Sequence, residues 1–142
     1  MLDVSQRPAP NPSPQSQPFW DGCAKEQLLL QQCSACQTYR HPPNPICPSC
    51  LSSEYQWVPS SGRGTVYTFS VVHQVFGRAW QALVPYVLAV ITLAEGPRLL
   101  SNIVDVPPED IHIGMSVEVF FQAVSEDAKI PLFRPVATGE KP

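Results

Sequence analysis

Two cysteine pairs, Cys33-x-x-Cys36 and Cys47-x-x-Cys50, stand ten residues apart. Two thiolates from each tight turn can converge on one point and complete a tetrahedral metal site. Zinc is the common occupant of four thiolates, and iron is the redox alternative. The two are told apart by colour, since iron–sulfur coordination absorbs visible light and zinc–sulfur coordination does not. Pro48 inside the second turn stiffens it. Glycine often follows the second cysteine of such a knuckle, because the backbone turns tightly there. Here Gln37 and Leu51 occupy those places. A ribbon this short buries little apolar surface, so the metal must supply its folding energy. Apparent binding energies of structural zinc reach roughly 10–16 kcal/mol. The reading is a structural Zn2+ held by Cys33, Cys36, Cys47 and Cys50, with no open coordination position.

Other candidates for chemistry are sparse. His41 lies in the rigid excursion His41-Pro42-Pro43-Asn44-Pro45 between the knuckles and is expected to be an exposed loop histidine. Cys23, the odd thiol, reads as a small packing residue in a helical stretch. His73 and His112 are the only histidines beyond the ribbon. No serine sits in a GxSxG setting, and no glycine-rich loop precedes a helix to cradle phosphate. No catalytic residue is assigned. The segment 74–84 carries Phe76 and Trp80 with Arg78 between them. Two large apolar side chains on a loop make a candidate docking surface, and a guanidinium can meet a phosphate group. The same segment can equally fold back over the body of the protein.

These residues need elements to place them. Residues 1–18 hold Pro8, Pro10, Pro12, Pro14 and Pro18 among polar residues and read as a disordered tail. Phe19 to Glu26 reads as a short helix, with Pro18 suited to its first turn. Leu28 to Gln32 leads as a strand into the first knuckle, and the ribbon runs to about Pro59, with Tyr55 and Trp57 alternating on a returning strand. From Ser60 the pattern is β. Strands are expected over 65–73, 85–94, 98–106, 115–124 and 130–136, with a short helical link opening at Pro107 and stopping at Gly114. Three strands, a helical link and two more strands is the layout of a five-stranded OB-type barrel. A split barrel or small sandwich would give similar strands. The fold class is mainly β: a short helix and zinc ribbon over 19–59, then the barrel domain over 60–142.

The chain has 142 residues, 44% of them hydrophobic, and a net charge of −3. That suits one domain, or one domain with a small appendage. No run approaches the ~18 apolar residues of a membrane span, and no secretory signal is visible. Thiols at metal spacing then point to a reducing cytoplasm. Zinc ribbons and OB-folds often bind single-stranded nucleic acid, the alternative reading. From Gly62 onward there are six basic and eight acidic residues, whereas a phosphate-tracking groove wants the opposite sign. An electron carrier has no use for the attached barrel.

An ordered set of short motifs carries a resemblance. It comprises Phe19-Trp20-x-Gly22, Leu30-Gln31-x-Cys33-x-x-Cys36, Pro42-Pro43, Cys47-Pro48-x-Cys50, Ser61-Gly62-x-Gly64-x-Val66-Tyr67, Val71-Val72-His73, Pro85-Tyr86, Glu95-Gly96-Pro97-Arg98-Leu99-Leu100-Ser101-Asn102 and Gly114-Met115. Together they resemble the acyl-CoA-associated family that joins a rubredoxin-like zinc ribbon to a C-terminal OB-fold, long a domain of unknown function. The resemblance implies an accessory subunit, not itself an enzyme, that partners thiolase-like, aldolase or hydratase enzymes of lipid, sterol or related acyl-CoA metabolism. In some members it helps bind the CoA thioester. It implies the zinc role for the four cysteines, while the charge balance and the lack of a long apolar run point away from a nucleic-acid or membrane partner.

Overall fold

The structure, a computed structural model, describes residues 7–137. Helix α1 spans Gln17–Ala24, two residues earlier than expected, with Pro18 in its first turn. It buries Phe19, Gly22 and Cys23, the i, i+3, i+4 set that shares one helical face. Gly22 has no room for a side chain: a Cβ there would sit 2.8 Å from the Gln27 carbonyl oxygen and from the Leu29 side chain. The helix stops when the amides of Lys25, Glu26 and Gln27 bond back to Gly22 and Cys23, with Glu26 at a left-handed φ of 60°. The proline-rich stretch expected to be disordered lies partly outside the described residues. Its remainder is placed, because Ser13 and Ser16 bond each other in a turn and Arg7 reaches the barrel.

The ribbon sheet has three antiparallel strands, β1 (Leu29–Cys33), β2 (Tyr39–Arg40) and β3 (Tyr55–Pro59), in the order β2-β1-β3. The barrel follows with β4 (Arg63–Val72), β5 (Tyr86–Leu93), β6 (Arg98–Ile103), β7 (Ser116–Ala123) and β8 (Lys129–Pro135), closed in the order β4-β5-β6-β8-β7. All pairings are antiparallel except β6 with β8, which meet in parallel at Ile103 and Phe133. A closed five-stranded barrel with one parallel seam is the OB-fold, so the split barrel and the sandwich are set aside.

Strand β4 makes closure possible. Its ten residues pair with β5 along their length, and its first three pair with β7. A bulge between Val66 and Thr68 bends it. Gly64 lies where β4 crowds β5, and a Cβ would come within 2.6 Å of the Thr92 carbonyl oxygen.

The ribbon and the barrel share one core. Phe19, Cys23, Leu28 and Leu30 pack in the same buried cluster as Val66, Ile91, Leu93, Ile103, Val117 and Phe133. The N-terminal part is therefore packed into the barrel, more than a loose appendage. Glu95 fastens the link between them: its carboxylate accepts the Ser60 hydroxyl and the Ser61 amide, both at 2.8 Å. Phe19→Ala should cost about 3–5 kcal/mol, as for truncation of a buried aromatic. Ribbon and barrel should then melt together at a lower temperature, with far-UV and near-UV dichroism superimposing. Loss of the ribbon signal alone, with the barrel transition unmoved, would show two independent units.

Candidate metal centre

The two knuckles fold alike because their backbones make the same bonds. In the first, the Cys33 amide donates to the Thr38 carbonyl and the Gln37 amide to the Cys33 carbonyl, each at 2.9 Å. In the second, the Cys47 amide donates to Ser52 and the Leu51 amide to Cys47, also at 2.9 Å. Both turns close through a left-handed residue, Gln37 at φ 65° and Leu51 at φ 67°. These are the two places where glycine is usual. A side chain there costs roughly 1 kcal/mol.

The four sulfurs lie within 4.8 Å of one another. Cys33 Sγ is 3.6 Å from Cys50 Sγ, and Cys36 Sγ is 3.6 Å from Cys47 Sγ. Four sulfurs about 2.3 Å from a zinc ion stand about 3.8 Å apart, so the cluster fits a tetrahedral ion with little adjustment. Cys33 and Cys47 are buried, while Cys36 and Cys50 face outward.

The electrostatics fit a cation too. The Cys36 amide holds the Cys33 thiol below its ordinary range, and the Cys50 amide does the same for Cys47. Thr38, with its hydroxyl 3.2 Å from the sulfur, lowers Cys36. Cys50 goes the other way: the Ser52 amide lowers it, but the crowding of Cys33, Cys36 and Cys47 with partial desolvation outweighs that and pushes it up to about 12. Sulfurs this close repel one another as thiolates, so ionising all four together calls for a cation among them. All four thiolates together suit a divalent metal.

A polar keystone, not anticipated from sequence, ties the excursion between the knuckles to β1. The fully buried Gln31 accepts through Oε1 from Arg40 Nε at 2.9 Å and from the Asn44 amide at 2.8 Å. Arg40 also donates to the Asn44 carbonyl and lies over the Tyr55 ring, 4.8 Å from its centroid. His41 departs from expectation. It packs against Phe19 with ring centroids 5.1 Å apart, and burial lowers its pKa to about 4. The adjacency of the ribbon to α1, invisible in the sequence, leaves it half-buried. Cys23 is wholly buried, and desolvation pushes its thiol up to about 12, as suits a packing residue.

The segment 74–84 is divided in its loyalties. Phe76 is 66% exposed, and Arg78 opens a short 3-10 turn on the surface. Trp80 instead packs on Tyr86 at 5.7 Å and beside the buried Leu83 and Val124, with the Arg7 guanidinium 4.9 Å from its ring centroid. Arg7 also donates to Asn102 Oδ1 at 2.6 Å. Next to this corner, a groove of about 460 Å³ runs between α1, the ribbon prolines and the outer side of β6, lined by Arg7, Trp20, Pro43, Leu88, Leu100 and Asn102 among others. Among the described residues, no helix is long and apolar enough to cross a membrane.

Fold and site together define a zinc-ribbon protein with a C-terminal OB-fold, its four cysteines able to bind a zinc ion. Comparison with known proteins agrees. Residues 20–56 match the rubredoxin-like zinc ribbon domain of ChsH2, and residues 57–122 match the ChsH2 C-terminal OB-fold domain. A DUF35 domain-containing scaffold protein of Methanocaldococcus jannaschii is 44% identical over 101 residues, 70% of this chain and 71% of its own. A probable enoyl-CoA hydratase alpha subunit of Thermomonospora curvata is 40% identical over 87% of this chain. The chain spans only 38% of that relative's length. A chain of the solved structure described as an Ltp2-ChsH2(DUF35) aldolase superposes with a TM-score of 0.82 at 36% identity, covering 89% of this chain and 98% of that one. The chain belongs to the ChsH2-type DUF35 family.

Cobalt(II) in place of the native metal should show the absorption of tetrahedral sulfur coordination, one ion per chain. Cys47→Ser should lose that spectrum and melt the ribbon; a normal spectrum from the variant would exclude Cys47 as a ligand. His41 gives a pH test. Folding keeps it neutral, so its contribution is complete above about pH 6.5 and fades as pH falls toward its folded pKa of about 4. Across that window it removes about 3 kcal/mol. Urea titrations of wild type and His41→Phe should diverge between these pH values, the variant losing less stability. Parallel pH profiles would refute the assignment.

Proposed function

We propose that this chain is a non-catalytic accessory subunit that holds a structural zinc through Cys33, Cys36, Cys47 and Cys50 and seats against a thiolase-like, aldolase or hydratase enzyme acting on acyl-CoA. The observation that carries the reading is the likeness to a chain of the Ltp2-ChsH2(DUF35) aldolase over nearly that chain's whole length. The names of the relatives point the same way: a hydratase alpha subunit in one lineage and a scaffold protein in another. What the same fold does in both is best served by binding, since the barrel and ribbon offer a rigid shape and the partner supplies the chemistry. Thiols kept free for a metal suit a reducing compartment such as the cytoplasm.

Phe76 and Arg78 are the candidates for contact. Phe76 offers an exposed ring to a partner surface, and Arg78 offers a guanidinium to a CoA phosphate. Trp80 serves them from below by seating the turn on Tyr86 and Leu83. The neighbouring groove is apolar, with Arg7 at its edge, and suits the apolar part of an acyl thioester.

Co-expression with the hydratase or aldolase subunit that proves to be its partner should give a complex that survives gel filtration. The isolated chain should leave acyl-CoA unchanged, and the enzyme should gain activity or stability from it. Phe76→Ala and Arg78→Glu should weaken the complex while the chain stays folded. Trp80→Ala should instead cost about 2 kcal/mol of stability. Turnover of an acyl thioester by the isolated chain would overturn the proposal.

A further inference from the structure

Arg7 is a cation without a counter-charge. Its Nη2 donates to Asn102 Oδ1 at 2.6 Å, and its guanidinium lies 4.9 Å from the Trp80 ring centroid. Its Nε is buried with no acceptor. No carboxylate among the described residues comes within ion-pair distance of it. A guanidinium drawn partly out of water is costly until an anion meets it. Arg7 borders the groove of about 460 Å³ between α1, the ribbon prolines and the outer side of β6. That volume falls within the range of roughly 300–1,000 Å³ that holds small molecules.

The other polar side chains of the groove are spent or uncharged. Asn102 gives Oδ1 to Arg7 and donates through Nδ2 to the Val87 carbonyl. The Ser101 hydroxyl donates to the Pro131 carbonyl, and Ser16 is engaged with Ser13. His41 is held neutral by burial. The rest of the lining is aliphatic, aromatic or proline. One charged donor in an otherwise apolar trough describes a ligand with one anionic head and an apolar body.

We propose that this groove binds an apolar monocarboxylate, its carboxylate on Arg7 and its hydrocarbon chain along Trp20, Leu88 and Leu100. This goes beyond the accessory-subunit reading and holds with or without a partner enzyme.

Other occupants match the groove less well. A thioester is uncharged and leaves Arg7 unpaired. A phosphate monoester carries nearly two charges at neutral pH, and one guanidinium leaves part of that uncompensated in apolar surroundings. An extended peptide recognises a sheet by adding to a free strand edge, whereas β6 has β5 on one side and β8 on the other.

Octanoate and 1-octanol, which share a chain and differ in charge, test this on the full zinc-loaded protein. Titration calorimetry should give one octanoate per chain, bound at least about tenfold more tightly than 1-octanol. Arg7→Met, which keeps an apolar stem, should erase that preference and leave 1-octanol binding as it is. Arg7→Lys should keep part of it. Leu100→Glu, at a position 64% exposed beside the groove, should weaken octanoate about tenfold by charge repulsion at an unchanged melting temperature. It decides the matter if the Arg7 variants unfold. Equal affinity for octanoate and 1-octanol, no saturable octanoate binding, or a preference that survives Arg7→Met would each overturn the proposal. Tighter binding of octyl phosphate would assign a different head group. Tighter binding of acetyl-trileucine with a free carboxylate would give the groove to a chain end, and self-association reversed by octanoate would give it to a second copy. Any of these three also overturns the proposal.

Discussion

Four sulfurs brought within bonding reach of one ion are the constraint on which this molecule depends. The ribbon sheet has one two-residue strand and two five-residue strands, too little to stand by itself. Its knuckles position the thiols through repeated backbone bonds, and the thiols in turn need a cation to ionise together. Metal binding and ribbon folding are thus one event. The ribbon then supplies Leu28 and Leu30, and α1 supplies Phe19 and Cys23, to the core that the barrel closes around. Losing the metal would be felt beyond the loop that holds it.

The barrel plays the complementary part. It closes through a bent first strand, a glycine with no space for a side chain and a single parallel seam. Glu95 fixes the link to the ribbon. The result is a closed body that presents the exposed Phe76 of the 74–84 segment and, on the ribbon, the two cysteine knuckles. For a protein whose relatives are named as scaffolds and enzyme subunits, rigidity of this kind lowers the entropy lost on assembly.

Much of this was legible in the sequence, for physical reasons that can be named. Spacing alone sets the cysteine knuckles, because two residues between ligands is the turn that a shared metal requires. Alternation and turn residues marked all five barrel strands to within three residues at each end. The left-handed places after Cys36 and Cys50 were visible as sites where glycine is usual. What stayed hidden was contact between segments distant in the chain. His41 looked exposed because nothing in its own stretch covers it, whereas Phe19, more than twenty residues away, does. Gln31, Arg40 and Asn44 gave no pattern, since a buried polar trio has no periodicity. Trp80 and Phe76 looked equivalent on one loop, and only the fold turns one inward and leaves the other out.

Native mass spectrometry of the chain purified together with the acyl-CoA enzyme subunit proposed as its partner tests the account most directly. One zinc ion should remain on each copy of this chain, both free and in the complex, and stripping it should abolish the complex and the compact charge-state distribution together. A metal-free chain that stays compact and still assembles would contradict the account.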